Sequence, residues 1–257
     1  MRSRVTTPVT PGNLAVVTDS FRLAYVPGVT PGKWARTWAE RLPEVPLHLL
    51  QVTPAEAEAK VREREADAAL LRLPIDRTGL HAIPLYTETT VVVVPKDHLL
   101  TAADEVSTAD LADDVVLHPR DDTLGWTTLP GQPAIDRPHT TAGAIELVAA
   151  GVGLLVVPQS LARLHHRRDL TYRPLTGAPE SQVALSWLEE ETTDLMEQFI
   201  GIVRGRTVNS TRGRQPEPAK PKAKAKAQAH GKPKPGQSRK PRPRGGTARR
   251  GKPRRRG

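Results

Sequence analysis

The 257-residue chain contains no cysteine. Disulfides, thiolate metal sites and a cysteine nucleophile are therefore excluded, and the absence fits a reducing cytosol. Long apolar runs are missing too. The longest, Thr90–Pro95 and Gly153–Pro158, are strand-sized, far short of the ~18 residues of a membrane span. Arg2 and Arg4 are followed by Thr/Pro-rich Val5–Pro11, not by an apolar segment. This argues against a secretory signal, and so against an exported solute-binding protein. Catalytic signatures are absent: there is no GxSxG, no Ser-x-x-Lys, no GxGxxG and no metal-ligand spacing, so neither enzyme chemistry nor a cofactor or metal is expected.

The charge is divided along the chain. The formal total is +10, but residues 212–257 hold 18 Lys/Arg against one acid, Glu217, for a net +17. The first 211 residues hold 20 basic and 27 acidic residues, a net −7. The protein thus reads as an acidic globular body with a basic tail. The tail is almost entirely Lys, Arg, Pro, Gly and Ala, without an aromatic, Val, Ile, Leu or Met. Such a composition cannot offset the entropy of ordering, so disorder is expected.

In the body, Phe21–Val26 reads as a strand. Thr30-Pro31 then opens a helix, with Thr30 as N-cap and Pro31 at the first helical position. Trp34, Trp38 and Leu42 form one stripe of it, suited to packing. Val45–Val52 is a second strand. Thr53 and Glu56 have capping-box spacing for a helix reaching about Glu65, and Ala66–Leu73 is a third strand ended by Pro74. This alternation calls for parallel strands with helices on both faces. Strands near Leu80–Tyr86 and Glu88–Pro95 follow. Ser107–Asp110 caps a short helix before a strand at Asp114–His118. A helix after Thr141 ends at Gly151, and strands near Gly153–Val157, Leu170–Pro174 and Gln182–Leu188 precede a last amphipathic helix from about Thr193 to Arg204. Two α/β lobes result, with ligands expected at the carboxyl ends of strands and between lobes.

Several segments occur in an order that resembles the effector-binding domain of LysR-type transcriptional regulators. They are Leu23–Gly28 running into Trp34, Leu42–Leu47, Glu65–Leu70, Pro84–Glu88, Val94–His98 and, most distinctive, Leu147–Pro158. The match covers about residues 21–204. The resemblance implies an α/β fold like type II periplasmic binding proteins: two Rossmann-like lobes, two crossovers and a small effector in the cleft. It also implies a dimer, of two copies or with a LysR-type relative. The expected organisation is a loose lead-in over 1–20, an effector-binding domain over 21–206 and a disordered tail over 207–257. Lobe I takes about 21–94 and 182–206, and lobe II about 95–181. Only about 20 residues precede the first strand, too few for that family's winged helix-turn-helix, so major-groove reading by that route is not expected.

By resemblance, Val29, Thr30, Pro31 and Gly32 contact the effector. Thr53, Leu73 and Pro74 at strand ends face the same cleft, and His118, Arg120 and Thr141 face it from the second lobe. Free N–H groups at Thr-led helix starts, with Arg120, would suit a carboxylate or polar metabolite. The same residues would also serve as ordinary caps and solvated loops. Gly28-x-x-x-Gly32-Lys33 is one residue short of a P-loop, and Trp34 stands where Ser/Thr should be. His165-His166-Arg167-Arg168 reads as a solvated basic turn, since adjacent histidines diverge by about 100° on a helix.

The tail's Lys220, Lys222, Lys224 and Lys226, then Arg239, Lys240, Arg242 and Arg244, then Arg249, Arg250, Arg254, Arg255 and Arg256, point to counterion release on DNA or RNA without sequence preference. A solubility tail, an arm for acidic proteins and a tether to the acidic body are other uses of the same charge. The combined expectation is a cytoplasmic effector-sensing module of transcription regulation, with nucleoid association as a further location open to it. The alternative is a dimerising partner that titrates full-length LysR-type regulators without binding DNA itself.

Overall fold

The computed structural model describes residues 20–206. The strands are β1 (Phe21–Tyr25), β2 (Leu47–Gln51), β3 (Ala68–Leu73), β4 (Leu80–Glu88), β5 (Thr90–Pro95), β6 (Val106–Ser107), β7 (Val115–Leu117), β8 (Gln132–Pro133), β9 (Leu154–Pro158), β10 (Leu170–Thr176) and β11 (Ser181–Leu188). The α-helices are α1 (Gly32–Arg41), α2 (Ala57–Arg62), α3 (Thr141–Ala149), α4 (Gln159–Leu164) and α5 (Asp194–Val203). One sheet has the order β2-β1-β3-β11-β4 and the other β6-β10-β5-β9-β7-β8. This is the two-lobed α/β architecture expected of a type II periplasmic-binding-protein fold.

In the first sheet β1 runs parallel to β2 and β3, with Leu23 opposite both Leu49 and Ala68. β11 enters antiparallel between β3 and β4, placing Leu185 opposite Leu70 and Ile83. The core of this lobe is aromatic at its centre. Phe21 lies 4.9 Å from Trp38 and 5.2 Å from Phe199 by ring centroid, and all three are buried. The indole N–H of Trp38 donates to the Val45 carbonyl at 2.8 Å, so the one polar atom of the ring is satisfied. The second sheet has apolar clusters on both faces. One packs α3 and α4 through Ile145, Val148 and Leu161; the other takes Leu100, Leu111 and Leu124 from the irregular segments.

Three expectations need correction. The lobe boundary lies at Thr89, not near residue 94: β4 ends the first sheet at Glu88, and β5 pairs wholly within the second, with β9 and β10. And Thr30 does not cap α1. The first helical bond runs from Ala35 N–H to the Pro31 carbonyl at 2.9 Å, so Pro31 is the cap residue and no side chain takes part. α2 is also shorter than expected. It stops at Arg62, and Arg64 turns the chain with a positive φ of 59°.

Other local signals act as their chemistry dictates. Thr53 and Glu56 exchange hydrogen bonds, the Thr53 hydroxyl donating at 2.7 Å. Asp110 accepts from the Ser107 N–H and hydroxyl, which holds its carboxyl below the usual range. Gly151 follows α3 with φ 73°, the left-handed turn that glycine allows without strain.

Candidate functional site

The two crossovers, Glu88–Thr90 and the segment from Gly177 to Ser181, are tied side by side. The Thr90 hydroxyl donates to the Pro179 carbonyl, and the Ser181 hydroxyl to Glu88 Oε2, both at 2.7 Å. Glu88 is also the acid of a buried ion pair. Arg72, the one charged residue in the otherwise apolar β3, reaches it through Nε at 2.8 Å. Both side chains are only 4% exposed. A further Arg72 nitrogen donates to the Pro27 carbonyl at 3.0 Å. Burial by itself would push the Glu88 carboxyl up, but Arg72 with Ser160 and Ser181 outweighs it and holds the group below its ordinary value.

Ser160 brings the second lobe to this pair. It sits on α4, whose Leu161 and Ala162 belong to the second lobe's core. Its hydroxyl accepts from Arg72 Nη2 at 3.1 Å and donates to Glu88 Oε1. The contact needs Gly28. A Cβ there would lie 2.6 Å from Ser160 Oγ and 3.0 Å from Arg72 Nη2, and φ is 85°. Glycine at the end of the β1 turn therefore leaves the slot through which the lobes meet.

Around this bridge opens a cavity of about 920 Å³, within the range of small-molecule sites. The first lobe supplies Tyr25, the loop Gly28–Gly32, and Leu49 and Gln51 of β2; the crossover supplies Tyr86–Thr89; α4 supplies Gln159, Ser160, Arg163 and Leu164. Tyr86 has its hydroxyl pKa raised, by burial first and then by the Glu88 charge. Among the described residues no group of three or more acidic or histidine side chains could hold a metal, and no helix is long and apolar enough to cross a membrane.

Of the ten expected effector residues, Val29, Thr30, Pro31 and Gly32 line this cavity, and the other six do not. Thr53 is exposed and engaged in its capping box. Leu73 ends β3 opposite Gln182, and Pro74 follows it. His118, Arg120 and Thr141 gather at the start of α3 instead. There the Thr141 hydroxyl donates to Asp121 at 2.9 Å and Arg137 donates to the His118 carbonyl at 2.9 Å. The Arg120 side chain is exposed. The residues missed were Arg72, Glu88, Ser160 and Arg163. Only Arg72 had a local signal, a cation inside an apolar strand that burial obliges to find a partner. All tail positions from Lys220 to Arg256 lie outside the described residues.

Comparison with known proteins agrees with this architecture. The chain is 26% identical over 183 residues to the Hca operon transcriptional activator HcaR of Escherichia coli K12, covering 66% of this chain and 61% of the relative. It is 31% identical over 161 residues to the probable hydrogen peroxide-inducible genes activator of Mycobacterium avium, covering 58% and 52%. The chain thus spans less than two thirds of these relatives' length. Among solved structures, the BenM effector-binding domain with its effector benzoate is similar at TM-score 0.63 and 19% identity, covering 74% of this chain and 92% of that one. Oxidized OxyR is similar at 0.60 and 19%, covering 73% and 93%. The model of the LysR substrate binding domain matches residues 18–207, both lobes and both crossovers, and the chain belongs to that family.

Proposed function

We propose that this chain is an effector-responsive module of transcription regulation. A small carboxylate or polar metabolite enters the interlobe cavity, and the Lys/Arg-rich segment after residue 207 contacts DNA or RNA without sequence preference. One observation carries the first part: both lobes wall the cavity and meet on the Arg72–Glu88 pair through Ser160. Occupancy of the cavity and the relative position of the lobes then depend on the same atoms, as a sensor requires. The relatives support a non-catalytic role, being named as transcriptional activators and regulators. Pairing with a second copy or a LysR-type relative, and a cytoplasmic or nucleoid location, belong to this reading on the strength of the family alone.

Some relatives are named as hydrogen peroxide-inducible activators. This chain has no cysteine, so it offers peroxide no thiol to oxidise. A bound molecule is the signal this reading assigns instead.

The second part rests on the +17 charge of residues 212–257. Fluorescence anisotropy on labelled duplex DNA, comparing the full chain with residues 1–211 across a salt series, tests it. Binding by the full chain only, indifferent to sequence and falling steeply with salt, is expected. Absence of binding by either chain at modest salt removes the nucleic-acid role. In that case co-purification with a helix-turn-helix-bearing relative decides whether the module acts by titrating such proteins.

A further inference from the structure

The lining of the interlobe cavity narrows the class of molecule it takes, an inference that rests on reading this cavity as the effector site. Two charged side chains line it, Glu88 and Arg163. Glu88 is already compensated by Arg72, Ser160 and Ser181. Arg163 is not. Its one hydrogen bond among the described residues runs from Nε to the Tyr172 hydroxyl at 3.2 Å, and no carboxylate pairs with it. That bond occupies Nε, and so one of the two edges able to make a fork, but leaves the Nη1–Nη2 end open. Both Nη groups remain for a planar two-oxygen acceptor. The uncompensated charge of the cavity is therefore one positive.

The apolar part of the wall is equally specific. Seven large hydrophobic side chains are exposed among the described residues, and three of them line this one cavity: Leu49 and Tyr86, each 40% exposed, and Leu164, 50% exposed. Apolar surface gathered in a concave site marks a place where something binds. The polar ends of Tyr25, Thr30, Gln51 and Gln159 also line the wall without a hydrogen-bond partner among the described residues. They can serve a ligand's secondary oxygen or nitrogen atoms.

We infer that the cavity selects an organic acid with an apolar or aromatic body, its carboxylate held by Arg163 and its body covering Leu49, Tyr86 and Leu164. Arg163 is the specificity-determining residue, and Tyr172 is a positioning residue that acts through it. A phosphate or sulfate alone leaves the apolar wall wet, and a neutral aromatic leaves the guanidinium unpaired.

The test is isothermal titration of the full chain with benzoate, phenylacetate and octanoate, each beside its primary amide as a neutral isostere. The basic tail attracts any anion, so the deciding comparison is with Arg163→Gln, which carries the same tail. Arg163 is exposed, and an unchanged melting temperature shows that the variant folds. The expected result is that at least one acid binds, its amide binds about tenfold more weakly, and Arg163→Gln loses about tenfold for the acid and little for the amide. Arg163→Lys should recover part of that loss, and Tyr172→Phe should lose about threefold for the acid only. If the amide binds as well as its acid and both are blocked by Leu49→Trp, the anion selectivity is wrong while the cavity keeps its role. If an acid binds wild type and Arg163→Gln equally, the anchor is misassigned. If no acid or amide gives saturable binding, the inference falls together with the reading beneath it.

Discussion

Replacing Arg72 with alanine should destabilise the protein strongly, and in a way that acid reverses. The side chains of Arg72 and Glu88 are each 4% exposed and joined at 2.8 Å, so water cannot take over the role of the lost cation. Removing one member of such a pair costs about 3–5 kcal/mol, because the other charge stays buried without compensation. At about 2–4 °C per kcal/mol for a chain of this size, the melting temperature should fall by about 6–20 °C. The pH dependence follows from linkage. In the wild type the folded-state pKa of Glu88 lies below its ordinary 4.5, so the pair stabilises above that pH and the contribution is lost as pH falls through the folded value. In Arg72→Ala, burial acts alone against two serine hydroxyls and raises the carboxyl above 4.5. The penalty is then full at neutral pH and relieved as Glu88 protonates. The gap between wild type and variant should shrink as the pH is lowered from neutral through the carboxylate range in calorimetry. Glu88→Gln added to Arg72→Ala should recover a good part of the loss at pH 7. A variant as stable as wild type, or a gap that widens on acidification, would refute this account of the bridge.

Three further outcomes are expected. Gly28→Ala should lower stability by about 1–3 kcal/mol, from the left-handed backbone and the 2.6 Å approach to Ser160 Oγ; adding Ser160→Ala should recover only the contact part in a thermal melt. Phe199→Ala should cost about 3–5 kcal/mol by urea denaturation, since the ring is buried and lies 5.2 Å from Phe21 and 5.9 Å from Trp38. Thr193→Ala should remove the cap that accepts from Met196 N–H at 3.2 Å and lower the melting temperature by the few degrees that about 1 kcal/mol represents.

Much of the fold could be read from local chemistry. The Trp34–Trp38–Leu42 stripe faces the core as its spacing demands, and Thr53, Ser107 and Gly151 act where their turn chemistry put them. The lobe boundary was not legible. Leu80–Glu88 and Thr90–Pro95 are both extended and apolar-patterned, and nothing local in Val91 or Val92 states which sheet each will join. Pairing partners more than 60 residues away decide that. The site divided in the same way. The loop Val29–Gly32, named through the family resemblance, does line the cavity. Ser160 and Arg163 were missed because they matter only through what α4 is packed against. Thr141, expected by resemblance to face the effector, donates its hydroxyl to Asp121, 20 residues earlier, and does not line this cavity.

The insertion of β11 between β3 and β4 bears on how the chain assembles. The second sheet is made from one uninterrupted stretch, β5 to β10, and can close as soon as that stretch exists. The first sheet cannot. β4 has β11 as its sole neighbour in that sheet, with Glu88 opposite Ser181 and Leu80 opposite Leu188. Until Ser181–Leu188 is available, β4 has no edge to join, and α5 has not yet placed Phe199 against Phe21. Synthesis from the N-terminus therefore inverts the order of the lobes. The part begun first is finished last, through long-range pairings that are intrinsically slow to form, and any truncation before Ser181 leaves β4, and with it Tyr86–Glu88 of the cavity wall, without a partner strand.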